Sequence, residues 1–139
     1  MMGKMRDENY LLEILKYISK INRYIGSKNY DEFMEDDMCS DACVLMLSEI
    51  GEKSGCLSTR FKEENNDINW QEIKDMRNIM IHNYEGINYD IVWDTIKEDI
   101  PEIEKKVYEI ITEKYNYTDD DLSDLNIKCL DIKNKEQIR

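Results

Sequence analysis

Leu11, Ile14, Leu15, Ile18, Ile21 and Ile25 recur three and four residues apart, the period of one face of an α-helix. They predict a helix from about Arg6 to Ile25, with Tyr10, Tyr17 and Tyr24 on a neighbouring stripe and Gly26-Ser27 as its stop. A second helix is expected over Asp31 to about Ser54, with Met38, Ala42, Leu45, Met46, Glu49 and Ile50 at helical spacing. Five acids between Asp31 and Asp37 crowd its first turns, where the helix dipole favours negative charge, and Gly51 is tolerated inside it. Gly55 and the polar stretch Lys62 to Asp67 read as loop. Asn69 followed by Glu72 has the capping-box spacing and starts a third helix, Trp70 to about Asn83, that buries Trp70, Ile73, Met76, Met80 and Ile81 before Gly86 stops it. Asn88 to about Tyr115 is mostly helical, with Ile91, Val92, Ile96, Ile100, Ile103, Val107, Ile110 and Ile111 inward. Pro101 either kinks this helix or opens a new one.

The pattern weakens from Asn116, leaving Leu122, Leu125, Ile127, Leu130 and Ile132 to bury beside the acidic run Asp119-Asp120-Asp121. The reading is an all-α antiparallel bundle of four to five helices over residues 1–115. Residues 116–139 form an acidic C-terminal extension, partly helical or flexible.

Composition sharpens this picture in three ways. One proline and five glycines are too few breakers for an all-β fold rich in tight turns. No apolar run approaches the roughly 20 residues that span a bilayer. The N-terminus turns polar at Lys4 and Arg6, too early for a secretory signal, so a cytoplasmic chain with reduced Cys39, Cys43, Cys56 and Cys129 is expected, with no membrane partner. Finally, 31 acids against 19 bases give a formal net charge of −12, which weighs against loose, non-specific binding to nucleic acid.

The chemistry gathers in Met76-Arg77-Asn78-Ile79-Met80-Ile81-His82-Asn83-Tyr84, which holds the single histidine of the chain. On a continuing helix Asn78 and His82 share a face, so Asn78 supports the imidazole and fixes its tautomer, while Arg77 and Tyr84 share another. His82 then lies about 140° round from Arg77, and both reach one phosphate only near a helix end. Arginine and histidine are what RNA cleavage without a metal or cofactor requires. The guanidinium forks onto phosphate oxygens and stabilises the transition state. Imidazole exchanges a proton near neutrality, and the 2′-hydroxyl is the nucleophile. Cys39 and Cys43 lack two further ligands at zinc spacing and read as small buried hydrophobes.

The stretch resembles the Arg-x4-His-x-Tyr motif of HepT-like toxins in the HEPN superfamily. Asp41-Ala42-Cys43, Ser48-Glu49-Ile50-Gly51-Glu52, Ile68-Asn69-Trp70, Met76-Arg77-Asn78 and Val92-Trp93 fall in the same order and spacing, so the likeness spans roughly residues 6 to 112. Two departures stand out. Asn83 replaces a common Asp, and Asp75 replaces a frequent Gly, placing an acid two residues before Arg77. The resemblance implies a two-fold helical dimer with its motifs meeting at the interface. It implies an RNA-cleaving toxin, with tRNA a target for some members. It also implies a nucleotidyltransferase antitoxin that AMPylates the motif tyrosine. Arg77 and His82 would be catalytic, Asn78 supporting and Tyr84 the modified residue.

Other readings stand beside these. Tyr84 is either a modification site or a packing tyrosine, and Glu52 either lines the cleft or is a solvated helix acid. The net charge leaves room for a local positive seam where two Arg77 side chains meet, and it suits docking to a more basic partner. The whole chain has an alternative: a non-catalytic HEPN module that binds a nucleotide or a protein.

Overall fold

The computed structural model describes residues 2–78 and 86–129, with side chains from Arg6 onward. It is all-α, with no strand among the described residues. Helix α1 (Met2–Ile25) is followed by α2 (Tyr30–Glu35), α3 (Asp37–Gly55), α4 (Thr59–Glu64) and α5 (Trp70–Asp75). Beyond Gly86 come α6 (Tyr89–Asp94), a π-helical turn (Thr95–Asp99), α7 (Ile100–Glu113) and α8 (Asp119–Asp124). None of the described helices is long and apolar enough to cross a membrane.

Helix α1 runs as its periodicity predicts. Leu11, Ile14, Leu15, Ile18 and Ile21 are fully buried, and Gly26, at φ +52°, takes the left-handed turn that ends the helix. The α1 face packs on α3 and α7, which form the centre of the bundle with it. Helices α1 and α3 are antiparallel. Asp7 near the start of α1 accepts hydrogen bonds from the backbone N–H and hydroxyl of Ser58, beyond the end of α3, at 2.7 and 2.6 Å. At the other end the Cys39 thiol donates to the Tyr24 carbonyl at 3.3 Å.

The expected second helix is two helices. Asp36 closes α2 and its carboxylate accepts from the Cys39 N–H at 3.0 Å, capping α3. A short acidic side chain competes with the helix for backbone donors, so one of the crowded acids breaks the helix instead of merely lining it. The residues at helical spacing on α3 do not all share its buried face. Cys39, Cys43, Val44, Met46, Leu47 and Ile50 are buried, whereas Met38 and Leu45 are exposed. Because α3 packs against α1, α2, α5 and α6, nearly all of it is interior, and only a narrow stripe reaches solvent. Ile91, expected inside, is exposed as well.

Part of the expected loop is helical. Ser58 accepts from the Phe61 N–H and starts α4, which buries Phe61 against Trp70. Asn69 caps α5 through the Glu72 N–H at 3.1 Å, but the return bond of the capping box is absent. The π-helical turn has a local cause. Pro101 has no N–H, and its ring would collide with the Lys97 carbonyl four residues back. One widened turn, in which the Ile100 N–H reaches the Thr95 carbonyl, accommodates it and lets α7 begin.

The chain beyond Asn116 is docked where it is described. Tyr117 donates to Glu8 at 3.1 Å, Thr118 caps α8, and Leu122 and Ile127 are buried. Leu125, expected to bury, is exposed. Leu130 and Ile132 lie outside the described residues.

Candidate functional site

Helices α3 and α5 approach so closely at Gly51 that a Cβ there would stand 2.8 Å from the Arg77 backbone nitrogen and 3.1 Å from the Ile73 and Lys74 carbonyl oxygens. Ordinary packing does not reach such distances, so only glycine fits. Gly51 is therefore the contact point of the two helices and not a residue merely tolerated in one. A mid-helix glycine costs about 1 kcal/mol against alanine, which was the sequence signal for a packing role.

Helix α5 ends at Asp75, and the backbone tightens. Met76 N–H donates to Ile73 at 3.1 Å and Arg77 N–H to Lys74 at 3.2 Å, bonds three residues back. Met76 turns inward and is buried, which sends the next side chain, Arg77, to the surface at the seam with α3. The wheel geometry relating Arg77 to His82 and Tyr84 presumed an unbroken helix from Trp70, and this break removes that premise at its first member. His82, Asn83 and Tyr84 lie outside the described residues, as do Met80 and Ile81.

At the seam the Arg77 guanidinium donates through Nη1 to Glu52 Oε2 at 2.9 Å. Glu52 is thus neither a plain cleft wall nor a freely solvated acid; it is the ion-pair partner of the candidate catalytic arginine. Asp75, the acid two residues before Arg77, accepts from the Gln71 side chain at 2.9 Å. Asn78 is exposed beside Arg77. Met38, Leu45 and Glu52 recur seven apart on α3, so the exposed apolar stripe leads to the residue that holds Arg77.

The other residues that carried the resemblance mostly pack. Trp70 is buried and its indole N–H donates to the Asn65 carbonyl at 3.0 Å. Trp93 stacks against Phe33 with centroids 5.1 Å apart, beneath the Lys97 ammonium. Asp41 accepts from the Tyr89 hydroxyl at 2.5 Å and Asp90 from Tyr30, two bonds that clamp α6 to α3 and α2. These carboxylates hold both phenols above the ordinary tyrosine range, Tyr89 up to about 12. Cys43 is fully buried, and burial pushes its thiol up to about 12, the behaviour of a small apolar residue.

A family model described as "Ribonuclease HepT-like" matches residues 14–116. A "Putative RNase" of Caldanaerobacter subterraneus subsp. tengcongensis is 37% identical over 102 residues, 73% of this chain and 91% of that protein. A "Putative RNase" of Methanocaldococcus jannaschii is 34% identical over 106 residues, 76% of this chain and 97% of its own length. A "Probable ribonuclease HepT" of Thermococcus cleftensis is 32% identical over 103 residues, covering 74% and 94%. No solved structure matches the chain significantly.

Proposed function

The chain belongs to the HepT-like ribonuclease family, and on that footing we propose that it is a metal-independent endoribonuclease toxin with Arg77 and His82 as its catalytic pair. The observation that carries this reading is the placement of Arg77. Its side chain is held at the surface through one nitrogen by Glu52, and its remaining donors have no other partner among the described residues. His82 takes the 2′-hydroxyl proton, and the hydroxyl oxygen attacks the adjacent phosphorus. The 5′-oxygen leaves with a proton from an acid. The products are a 2′,3′-cyclic phosphate and a 5′-hydroxyl. Arg77 stabilises the charge that develops on the phosphorus, and Asn78 orients the imidazole.

One histidine per chain supplies one group that titrates near neutrality, whereas this reaction uses a base and an acid. A two-fold dimer provides both. The exposed stripe of Met38 and Leu45, in line with Glu52, suits an isologous contact that brings two Arg77 seams together. The partner implied for such a toxin is a nucleotidyltransferase antitoxin, which would AMPylate Tyr84 and fill the phosphate site with a like charge. The target is RNA, with tRNA the first candidate.

The test is cleavage of labelled RNA by purified protein with and without EDTA, with end-group analysis. Cleavage should persist in chelator and leave cyclic phosphate ends. Arg77→Lys should lower kcat by about a hundredfold, because an ammonium cannot reproduce the fork. Rescue by a divalent ion after loss in EDTA would refute the mechanism. Binding without turnover by wild type would favour the non-catalytic nucleotide- or protein-binding module.

A further inference from the structure

For a chain of net charge −12, the outer face of α1 is anomalous. Lys16, Lys20 and Arg23 stand at i, i+4 and i+7, so they fall within one narrow arc of the helix. None of the three has an ion-pair partner among the described residues. Between Asn9 and Lys28 the only carboxylate on α1 is Glu13, and it is taken by Lys53 at 3.7 Å. The Arg23 guanidinium lies 5.7 Å from the half-buried Tyr24 ring.

The chain beyond the matched family region completes this face. After α8, Asn126 adopts φ +61°, Ile127 is buried, and the Lys128 backbone N–H donates to the Ser19 hydroxyl at 3.0 Å. Lys128 is thereby fixed beside the end of the basic stripe, again without an ion-pair partner among the described residues. The groove between α1 and this segment has a volume of about 430 Å³; Ser19, Asn22, Arg23, Ser123, Asn126 and Lys128 line it with no carboxylate among the described lining residues, Glu104 standing behind Asn22, which donates to it at 3.0 Å. The two other grooves described are each lined by three or more acids. The stripe also has a direction. Tyr17, next to Lys16, lies against Glu49, one turn from Glu52, while Tyr24, next to Arg23, meets Cys39. It therefore starts about one turn from the level of the Arg77 seam and runs about 10 Å along α3 away from it.

We propose that Lys16, Lys20 and Arg23, completed by Lys128, form a phosphate-binding track that grips the RNA backbone outside the cleavage site. It rests on the ribonuclease reading for the identity of its ligand. It gives an acidic enzyme a local electrostatic hold on a polyanion, and the C-terminal segment becomes part of the substrate surface.

The experiment measures the affinity of a fluorescent single-stranded RNA for His82→Ala protein over a range of salt. A second protein adds Lys16→Ala, Lys20→Ala, Arg23→Ala and Lys128→Ala. Removing four phosphate contacts should lower the slope of log K against log salt by about 3, with at least a roughly tenfold loss of affinity at low salt. In the His82 background, the Lys16→Arg, Lys20→Arg and Lys128→Arg protein should keep the slope. With His82 intact, the quadruple alanine protein should cleave a dinucleotide as wild type does, while its KM for long RNA rises about tenfold at unchanged kcat.

An unchanged slope overturns the track, and so does an equal loss on dinucleotide and long RNA. Calorimetric binding of inorganic phosphate or AMP that the alanine variant abolishes, with RNA affinity untouched, would make the groove a small-anion site and also overturn it. If wild type cleaves no RNA, the catalytic reading fails, and the salt slopes alone still decide the track.

Discussion

Glu52 on α3 and Arg77, just past the end of α5, hold each other across the point where the two helices touch, Nη1 to Oε2 at 2.9 Å. Their side chains are 49% and 43% exposed, so neither charge is desolvated and the pair is worth about 0–1 kcal/mol. A bond that weak orients the guanidinium without locking it. An incoming phosphate can share it or displace the carboxylate.

Glu52→Gln should therefore separate binding from turnover. Removing the carboxylate takes away repulsion toward RNA, so KM should fall. Losing the anchor disorders Arg77, so kcat should fall too, by up to about tenfold and well short of the loss in Arg77→Lys. Steady-state cleavage of one labelled RNA by the three proteins checks this; a rise in KM for Glu52→Gln would contradict it.

Gly51→Ala should destabilise the fold even though alanine is the better helix former. The added methyl meets backbone atoms of Ile73, Lys74 and Arg77, which cannot yield as a flexible side chain would. Overpacking of this kind costs about 1–3 kcal/mol, against a propensity gain of about 1 kcal/mol. A lower urea midpoint and a fall in cleavage are expected together, because the helix pushed aside is the one that carries Arg77.

Stability should decline on the alkaline side. The Tyr89 phenol, held by Asp41, loses its proton at about 12 in the fold against 10.0 for an ordinary tyrosine. A pKa raised by folding contributes stability that is complete below the unfolded value and is lost as pH rises through the folded one. The fall should thus lie between about pH 10 and 12. Tyr17, Tyr30, Tyr115 and Tyr117 are raised as well and share it. Tyr89→Phe should make the decline shallower in urea unfolding across that range, while lowering stability near neutrality by the one hydrogen bond lost.

Thiol labelling should sort the cysteines by burial. Cys56 is exposed, whereas burial raises Cys43 and Cys129 to about 12, far from the thiolate form at neutral pH. Brief iodoacetamide treatment followed by peptide mass spectrometry should find Cys56 modified and Cys43 untouched until urea is added. Early labelling of Cys43 would mean that α3 opens away from α1.

Much of the molecule was legible in residue order alone. Helical periodicity fixed α1 and the inward side of α7, because a helix with one buried face repeats every three to four residues whatever its neighbours are. The capping residue Asn69 and the stop at Gly26 were equally local, since each satisfies backbone groups within a turn of itself. The motif made Arg77 a candidate because arginine and histidine are side chains that RNA cleavage can use.

What depended on neighbours was not legible. Helix α3 is surrounded on most sides, so its apolar pattern lost its face, and the helical spacing of Met38 and Leu45 did not show that they lie outside. Ile91 and Leu125 failed for a related reason, since an apolar residue is buried only if another element covers it. Asp36 among five acids had no sequence mark as the one that breaks the helix. The requirement for Gly51, the pairing of Glu52 with Arg77 and the docking of Lys128 beside the α1 basic stripe each join residues far apart in the chain. Only packing brings such residues within hydrogen-bond or contact distance, so only the tertiary structure decided them.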